Sequence, residues 1–279
     1  MHRIALALLL LVGPLGAQPS ASRPAPPLAD RPEWRASFDS AGVRGTFVLK
    51  RLGVPNAALE AYDTVRARRR FLPASTFKIP NAIIALDLGI VKDERQWFPM
   101  TWPRQEVPAW NRGHTFATSM KYSVVPIYQG IARQVGEARY RDWLGRLAYG
   151  NANVGGGVDR FWLEGDLAIS AVEQIAFLER LAALTLPATE RSQRIVRDMI
   201  VREANDCYLM RAKTGLIGVS TTRKLDPVGW YVGLVETDTA TWAFAMNLDG
   251  TAPNAMASRI PVAKSVLARA GVIPRGCRS

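Results

Sequence analysis

The chain has 279 residues, of which 48% are hydrophobic and 22% are charged, and this balance argues against an intrinsically disordered protein. The formal net charge of +12 suggests a nucleic-acid partner, but the densest basic run, at 66–70, lacks interleaved aromatic residues, and no zinc-finger spacing occurs. We therefore expect no nucleic-acid partner and interpret the basic surface as suited to solubility or to a small anionic substrate.

The N-terminal residues are typical of a cleaved secretory signal. A basic start precedes an apolar run at 4–12, and small residues surround Ala17. No other stretch reaches the roughly 18 apolar residues that a membrane helix needs. We therefore expect a signal peptide at 1–17, export to a bacterial periplasm and no membrane anchor after cleavage, with residues 18–32 forming a loose leader rich in Pro and Ser.

The first predicted elements are a strand hairpin, 44–50 and 58–64, joined through a Gly-Val-Pro-Asn turn. Helical patterns then fill the middle of the chain, and a capping box formed by Ser170 and Glu173 opens one of them. The predicted helices span 75–88, 121–135, 137–147, 170–184 and 190–203.

Strand-like segments return late in the chain. They span 207–214, 229–236 and 241–248. A last helix, predicted at 261–270, has Pro261 in its first turn and Gly271 as its stop. The sheet therefore takes strands from both chain ends around an inserted helical lobe, which is an α+β fold with a cleft between the lobes. We assign residues 18–279 to one domain. Its lobes are a sheet lobe at about 30–72 and 206–279 and a helical lobe at about 73–205.

The sequence offers few ligands for a transition metal. Besides His2 in the predicted signal, only His114, Cys207 and Cys277 could serve, so we expect no metal site. His114 lies in a predicted loop, and no serine occupies a G-x-S-x-G elbow, so a serine nucleophile needs another base. Whether the two cysteines pair remains open from the sequence.

Ser75 and Lys78 lie three residues apart at the start of a predicted helix, so their side chains share one face. This helix has apolar residues on several sides and tolerates Pro80 near its start, which predicts a buried lysine. Burial that lowers a lysine pKa by roughly 3–4 units leaves a neutral amine available as a base. Taken alone, S-x-x-K is weak evidence, because a capping serine and a snorkelling lysine also explain it.

Four further motifs stand behind S-x-x-K in chain order. They are S-V-V at 123–125, Y-G-N at 149–151, F-W-L-E-G at 161–165 and K-T-G at 213–215. At these residues the sequence resembles the class D β-lactamases, the oxacillinase family, over roughly residues 30–275. It is most similar to the branch that includes carbapenem-hydrolysing members. The resemblance implies the fold of serine β-lactamases and penicillin-binding transpeptidases, an antiparallel sheet flanked by a helical lobe.

The resemblance also implies roles for the motif residues. Ser75 is expected to attack the lactam carbonyl, and Lys78 to become an N-carboxylated general base by adding carbon dioxide, the one small molecule the site consumes besides substrate and water. Trp162 is expected to donate its indole N–H to the carbamate, and Val125 to keep the pocket dry. No other cofactor is implied.

Proton delivery and substrate binding are implied for a second group of residues. Ser123 and Lys213 are expected to relay a proton to the leaving nitrogen, and Thr214 and Arg259 to hold the substrate carboxylate. The backbone N–H groups of Ser75 and Leu216 are expected to form the oxyanion hole. The substrate-binding set is Val125, Thr214, Gly215, Leu216 and Arg259.

Two features depart from the family pattern. Leu216 stands where many relatives carry an aromatic residue, and the segment 216–228 is longer than in the branch the chain otherwise resembles. We therefore expect penicillin hydrolysis and leave cephalosporins and carbapenems open. The alternatives are a penicillin-binding peptidase or a β-lactam sensor domain, each acylated at Ser75 without fast turnover. The protein is expected to be a monomer or a homodimer.

Overall fold

The structure, a computed structural model, describes residues 27–218 and 225–274. The predicted signal peptide at 1–17, Cys277 with its possible bond to Cys207, and residues 219–224 of the long segment lie outside the described residues. Within the described ranges, no helix combines the length and apolarity that crossing a bilayer requires.

A seven-stranded sheet forms the core of the molecule, with strand order β1-β3-β2-β9-β8-β7-β6. Neighbouring strands are antiparallel except β1 and β3, which pair in parallel at one edge. Its strands are β1 (Leu28–Asp30), β2 (Gly45–Arg51), β3 (Leu59–Tyr62), β6 (Val201–Ala204), β7 (Leu209–Ile217), β8 (Val228–Glu236) and β9 (Thr241–Asp249). A separate pair joins β4 (Trp97–Phe98) to β5 (His114–Thr115). The predicted α+β fold with strands from both chain ends is confirmed.

The sheet is buried on both faces, and side chains alternate between two cores along each strand. On β9, Ala243 and Ala245 belong to the core beneath the helical lobe, whereas Phe244 and Met246 belong to the opposite core. The small alanines accept a helix packed directly on β2 and β9, while the larger side chains fill the space beneath the C-terminal helix.

The helices surround this sheet. They are α1 (Arg35–Asp39), α2 (Thr64–Arg68), α3 (Lys78–Asp87), α4 (Phe116–Lys121), α5 (Val125–Val135), α6 (Glu137–Arg146), α7 (Ala171–Ala182), α8 (Glu190–Met199) and α9 (Ala255–Arg269). The capping box at the start of α7 is confirmed, with the Ser170 and Glu173 side chains each bonded to the other's backbone N–H. α7 packs against β2 and β9, and α9 packs against β8 and β9 on the opposite face.

The helix predicted at 121–135 is wrong as a single element. The chain leaves helical geometry at Ser123, whose φ is +60°, and α5 begins afresh with Pro126 in its first turn. In a continuous helix Pro126 could not donate to the Tyr122 carbonyl and its ring would clash with that group, whereas the first turn of a new helix tolerates proline, which explains the break. The consequence is that Ser123 lies, partly buried, in a turn between two helices rather than on a helix face.

The ends of two other helices also differ from the prediction. The helix predicted at 190–203 stops at Met199, because Val201 and the residues after it pair with β7 as the edge strand β6. α9 begins at Ala255, six residues before the predicted start, and contains Pro261 in its interior. Burial of Ala263 and Val266 against the sheet offsets the hydrogen bond that this proline removes.

Near the N-terminus the prediction missed short elements. β1 lies inside the segment predicted to be a loose leader, where it pairs with β3. β3 is shorter than predicted because Asp63 caps the helix α2 with its carboxylate and takes a left-handed φ of +52°. His114, predicted in a loop, is buried in β5, and its ring nitrogens bond to Ala109 O and Thr118 Oγ1.

Candidate active site

Ser75 sits in a tight 3-10 turn, Ala74–Phe77, that leads into α3. Three hydrogen bonds hold this turn. The Ala74 N–H donates to the Trp162 carbonyl at 3.1 Å, and Thr76 Oγ1 donates to the Pro73 carbonyl at 2.7 Å and accepts from Gln174 Nε2 at 3.1 Å. Ala74 has a φ of +51°, a strained value for a residue with a Cβ. The turn is therefore fixed by its surroundings and holds the partly exposed Ser75 hydroxyl at its surface.

Lys78 is the first residue of α3 and is completely buried. Its Nζ donates a hydrogen bond to Ser75 Oγ at 2.9 Å and lies 5.1 Å from the centre of the Tyr128 ring. Burial lowers the pKa of Lys78 from 10.5 to about 7. A lysine with this pKa is substantially neutral at neutral pH, so its nitrogen can act as a base or as a nucleophile.

Trp162 lies beside this lysine's helix, completely buried, with its ring stacked on Phe77 at 5.2 Å between ring centres. In the described part of the chain its indole Nε1 has no hydrogen-bond partner. A buried hydrogen-bond donor without an acceptor costs about 1–3 kcal/mol of stability. The indole N–H is therefore suited to bind a group that carries an acceptor atom.

Ser123 and Lys213 form a second serine–lysine pair. Lys213 is completely buried on β7, and its Nζ donates to Ser123 Oγ at 2.9 Å and to the Thr214 carbonyl at 2.8 Å. Burial, followed by the positive charges of Lys78, Arg202 and Arg259, holds the pKa of Lys213 well below its ordinary value. The break between α4 and α5 turns Ser123 towards this lysine.

Strand β7 reaches the Ser75 turn because Gly215 has no side chain. A Cβ at Gly215 would lie 3.0 Å from the Pro73 carbonyl oxygen and 3.2 Å from the Ala74 Cβ, closer than packed atoms normally approach. Arg259 from α9 donates to the Gly215 carbonyl at 2.7 Å and remains partly exposed, which leaves other N–H groups free for an anion. Thr214 is likewise partly exposed on the same strand.

A groove of about 350 Å³ runs beside Leu216. Its lining combines apolar side chains with a few polar ones, namely Gln129, Arg160, Leu163, Glu164, Leu216, Ile217, Gly218 and Leu225. Val125, predicted to shield the pocket, is the first residue of α5 and is only partly buried, whereas the neighbouring Val124 is part of the core. The described residues contain no cluster of His, Cys, Asp and Glu side chains suited to a metal ion.

Two buried residues near Ser75 were not singled out from the sequence. Tyr128 covers Lys78 with its ring, and Gln174 joins Thr76 to the Tyr149 hydroxyl. The position of Tyr128, three residues after Val125, places both on one helix face and could have indicated the contact. Gln174 carried no comparable signal, because only the packing of α7 brings it to the Ser75 turn.

Comparison with known proteins identifies this arrangement. The family model of the penicillin-binding protein transpeptidase domain matches residues 42–269 of the chain. The chain is 43% identical to Beta-lactamase OXA-48 of Klebsiella pneumoniae over 98% of this chain and 100% of the relative. It is 41% identical to both Beta-lactamase OXA-5 and Beta-lactamase OXA-10 of Pseudomonas aeruginosa, over 87% and 86% of this chain and 90% and 87% of the relatives. The chain therefore belongs to the class D, oxacillinase-type β-lactamases, and is a serine β-lactamase.

Proposed function

We propose that this β-lactamase hydrolyses penicillins through an acyl-enzyme on Ser75, with Lys78, N-carboxylated by carbon dioxide, as the general base. The observation that carries the proposal is the contact of 2.9 Å between Ser75 Oγ and a buried amine whose pKa is about 7. A neutral amine adds to carbon dioxide by forming an N–C bond and losing one proton. A protonated amine cannot, so burial is the physical condition for this modification.

The residues around Lys78 fit a carboxylated lysine. The indole N–H of Trp162 is buried and lacks an acceptor in the described chain, and an anionic oxygen on Lys78 would supply one. The carbamate would give the site an anionic proton acceptor within reach of Ser75. The ring of Tyr128 closes another side of the lysine and excludes water.

In acylation, Ser75 Oγ attacks the lactam carbonyl carbon and gives its proton to the carboxylated Lys78. The backbone N–H groups of Ser75 and Leu216 receive the developing oxyanion. The lactam C–N bond then breaks, and Ser123 donates a proton to the nitrogen while taking one from Lys213, which lies 2.9 Å away. Before deacylation, the proton that Lys78 took from Ser75 passes to Lys213, so that Lys78 is again a base. In deacylation, Lys78 accepts a proton from water as the water attacks the ester carbonyl, and it gives this proton to Ser75 Oγ as the ester C–O bond breaks.

Substrate binding follows from the charge of penicillins, which carry one carboxylate. Arg259 and Thr214 flank Gly215 on the side of the cleft where that carboxylate would lie, and a guanidinium is suited to bind it with two hydrogen bonds. The groove beside Leu216, with its mixed apolar and polar lining, suits the acylamino side chain. We also propose that the protein is exported and acts in the periplasm, as its N-terminal sequence indicates.

Mass spectrometry of Ser75 tests the proposal directly. During turnover of a slowly hydrolysed penicillin, we expect the added mass on the peptide containing Ser75, decaying as free product accumulates. Lys78→Ala should lose turnover, whereas Lys92→Ala, which removes an exposed lysine, should not. An unmodified Ser75 during turnover would contradict the nucleophile. An adduct on the wild-type enzyme that never decays would instead indicate a penicillin-binding peptidase or a β-lactam sensor.

A further inference from the structure

Arg202, on the edge strand β6, connects the two backbone segments that carry Ser123 and Lys213. Its Nε donates to the Ala212 carbonyl at 3.0 Å, immediately before Lys213. Its Nη1 donates to the Lys121 carbonyl at 3.0 Å, two residues before Ser123. A single planar guanidinium therefore joins β7 to the end of α4, and its rigid fork fixes the spacing between the two acceptors.

The end of α4 needs such a partner. The last carbonyl groups of a helix find no N–H donor within the helix, and Lys121 is the final residue of α4. A positive charge placed there also favours the negative end of the helix dipole. Two residues later, Ser123 holds a φ of +60°, which is unfavourable for a side chain with a Cβ and must be stabilised by the surroundings.

Arg202 also places a charge near the serine–lysine pair. Its partners are backbone carbonyls. The acidic groups that could act on its charge are Tyr231 and Tyr128, and burial raises the pKa of both, so they remain neutral. No carboxylate of the described chain neutralises it. The cations that face Lys213 are Lys78, Arg202 and Arg259. Once Lys78 carries a carboxylate, only the two arginines act on Lys213 as positive charges.

We propose that Arg202 is a positioning residue for the proton relay, holding Ser123 against Lys213 and keeping a positive charge beside the pair. The inference rests on the proposed relay from Lys213 through Ser123 to the lactam nitrogen. A nearby cation makes the ammonium of Lys213 a stronger acid and therefore a better proton donor. The same guanidinium keeps the donor hydroxyl in place, so geometry and charge can be separated by substitution.

Three variants separate these effects. Arg202→Lys keeps the charge but cannot bridge both carbonyl groups, Arg202→Met removes both properties, and Arg180→Met is the matched control. Arg180 is also a partly buried arginine that donates to two backbone carbonyls, those of Leu147 and Ala176, but it lies on α7 away from Lys213. The measurement is the acylation rate with benzylpenicillin, as kcat/KM across pH, on folded protein verified by thermal unfolding.

We expect Arg202→Met to lose roughly 10–100-fold in kcat/KM, because misplacement of a reacting group has effects of this size. The alkaline limb of its kcat/KM–pH profile should move to higher pH, since removing a cation lets Lys213 keep its proton up to a higher pH. Arg202→Lys should lose about 3–10-fold with its alkaline limb unchanged. Arg180→Met should keep both the rate and the limb of the wild type, whatever it loses in stability.

If Arg202→Met kept the kcat/KM of the wild type and the alkaline limb of its pH profile, while Ser123→Ala was impaired, the role of Arg202 would be overturned. The proposed relay would still stand. If Ser123→Ala and Lys213→Ala both acylated at the wild-type rate, the relay itself would fail and the role of Arg202 with it. Should Arg202→Met not fold, Arg202→Lys decides the matter, because a wild-type rate in that variant contradicts the positioning role.

Discussion

The Nζ atom of Lys78 lies 2.9 Å from the Oγ atom of Ser75, in a position that solvent does not reach. Water would keep this amine protonated and inert, whereas burial makes its neutral form accessible at neutral pH. The same burial that disfavours the ammonium would allow the proposed reaction with carbon dioxide. This relationship leads to predictions on activity and on stability.

Penicillin hydrolysis should depend on pH and on bicarbonate. As pH falls through about 7, Lys78 becomes protonated and can no longer be carboxylated, so kcat should fall. Added bicarbonate should restore much of the rate on the acidic side and have little effect on the alkaline side. Steady-state rates in degassed buffers, with and without bicarbonate, provide the measurement. An acidic limb insensitive to bicarbonate would contradict a role for the carbamate.

Lys78→Met should be inactive yet more stable than the wild type in carbonate-free buffer. Lys78 has a folded pKa depressed to about 7, so between that value and 10.5 the unfolded chain binds a proton that the folded one does not. Wild-type stability therefore rises with pH across this window, and it is lowest below it. After allowing for the lost hydrogen bond to Ser75, we expect a gain of about 2–4 kcal/mol in unfolding free energy at neutral pH.

Denaturant unfolding at several pH values checks this gain, which should shrink as the pH approaches 10.5. Lys50→Met is the control. Lys50 is a partly buried lysine, but unlike Lys78 its ammonium has a carboxylate partner, Glu179, at 2.7 Å. Its loss should leave stability unchanged or reduced. A destabilised Lys78→Met would mean that the amine is not held at an energetic cost.

Trp162→Phe should weaken the retention of carbon dioxide without unfolding the site. Phenylalanine keeps the aromatic stacking on Phe77 but removes the indole N–H, so the carbamate loses a charge-assisted hydrogen bond. We expect the bicarbonate concentration for half-maximal activity to rise roughly 10-fold, since such a bond is worth about 1.5–3 kcal/mol. Titrating activity with bicarbonate measures this shift.

Trp230→Phe is the matched control for this variant. The indole of Trp230 is equally buried, but its N–H already donates to the Leu72 carbonyl at 2.9 Å. Its loss should lower stability by about 1–3 kcal/mol and leave the bicarbonate requirement unchanged. Equal bicarbonate curves for both tryptophan variants would remove the assigned role of Trp162.

Gly215→Ala should impair activity by displacing the Ser75 turn. The new Cβ would lie 3.0 Å from the Pro73 carbonyl oxygen, and this contact involves backbone that cannot move aside cheaply. We expect kcat/KM to fall about 10–100-fold, because small displacements of a nucleophile have effects of this size. Gly145→Ala, in α6 with open space around its added methyl, should be fully active and about 0.5–1 kcal/mol more stable. An active Gly215→Ala would show that β7 need not touch the turn.

Local patterns sufficed to predict most of the elements. Strand-like runs at 207–214, 229–236 and 241–248 predicted strands β7 to β9, and the capping box at Ser170 located the start of α7 to the residue. The errors occur where tertiary contacts override local preference. Pro261 suggested the start of a helix that in fact begins at Ala255, and residues after Met199 joined a sheet edge although their sequence reads as helix.

In the candidate site, too, local features could be predicted from the sequence and tertiary contacts could not. The spacing of Ser75 and Lys78 is local, so the sequence could predict both their contact and the burial of the lysine. Arg202 could not be predicted, because its acceptors, Lys121 and Ala212, are distant in the chain and meet only when β6 pairs with β7. The unpartnered indole of Trp162 is likewise a property of packing that no periodicity reveals.

The pairing of β2 with β9 brings together segments about two hundred positions apart, as in the partnership of Gly45 with Leu248. Closing so large a loop costs conformational entropy. We therefore expect the pairing of β2 with β9 to form slowly and late in folding. An N-terminal fragment that ends before β7 would leave the side of β2 that faces β9 unpaired and would lack Lys213 altogether. The proposed hydrolysis of penicillins can therefore begin only after β9, the last strand of the newly made chain, has docked against β2.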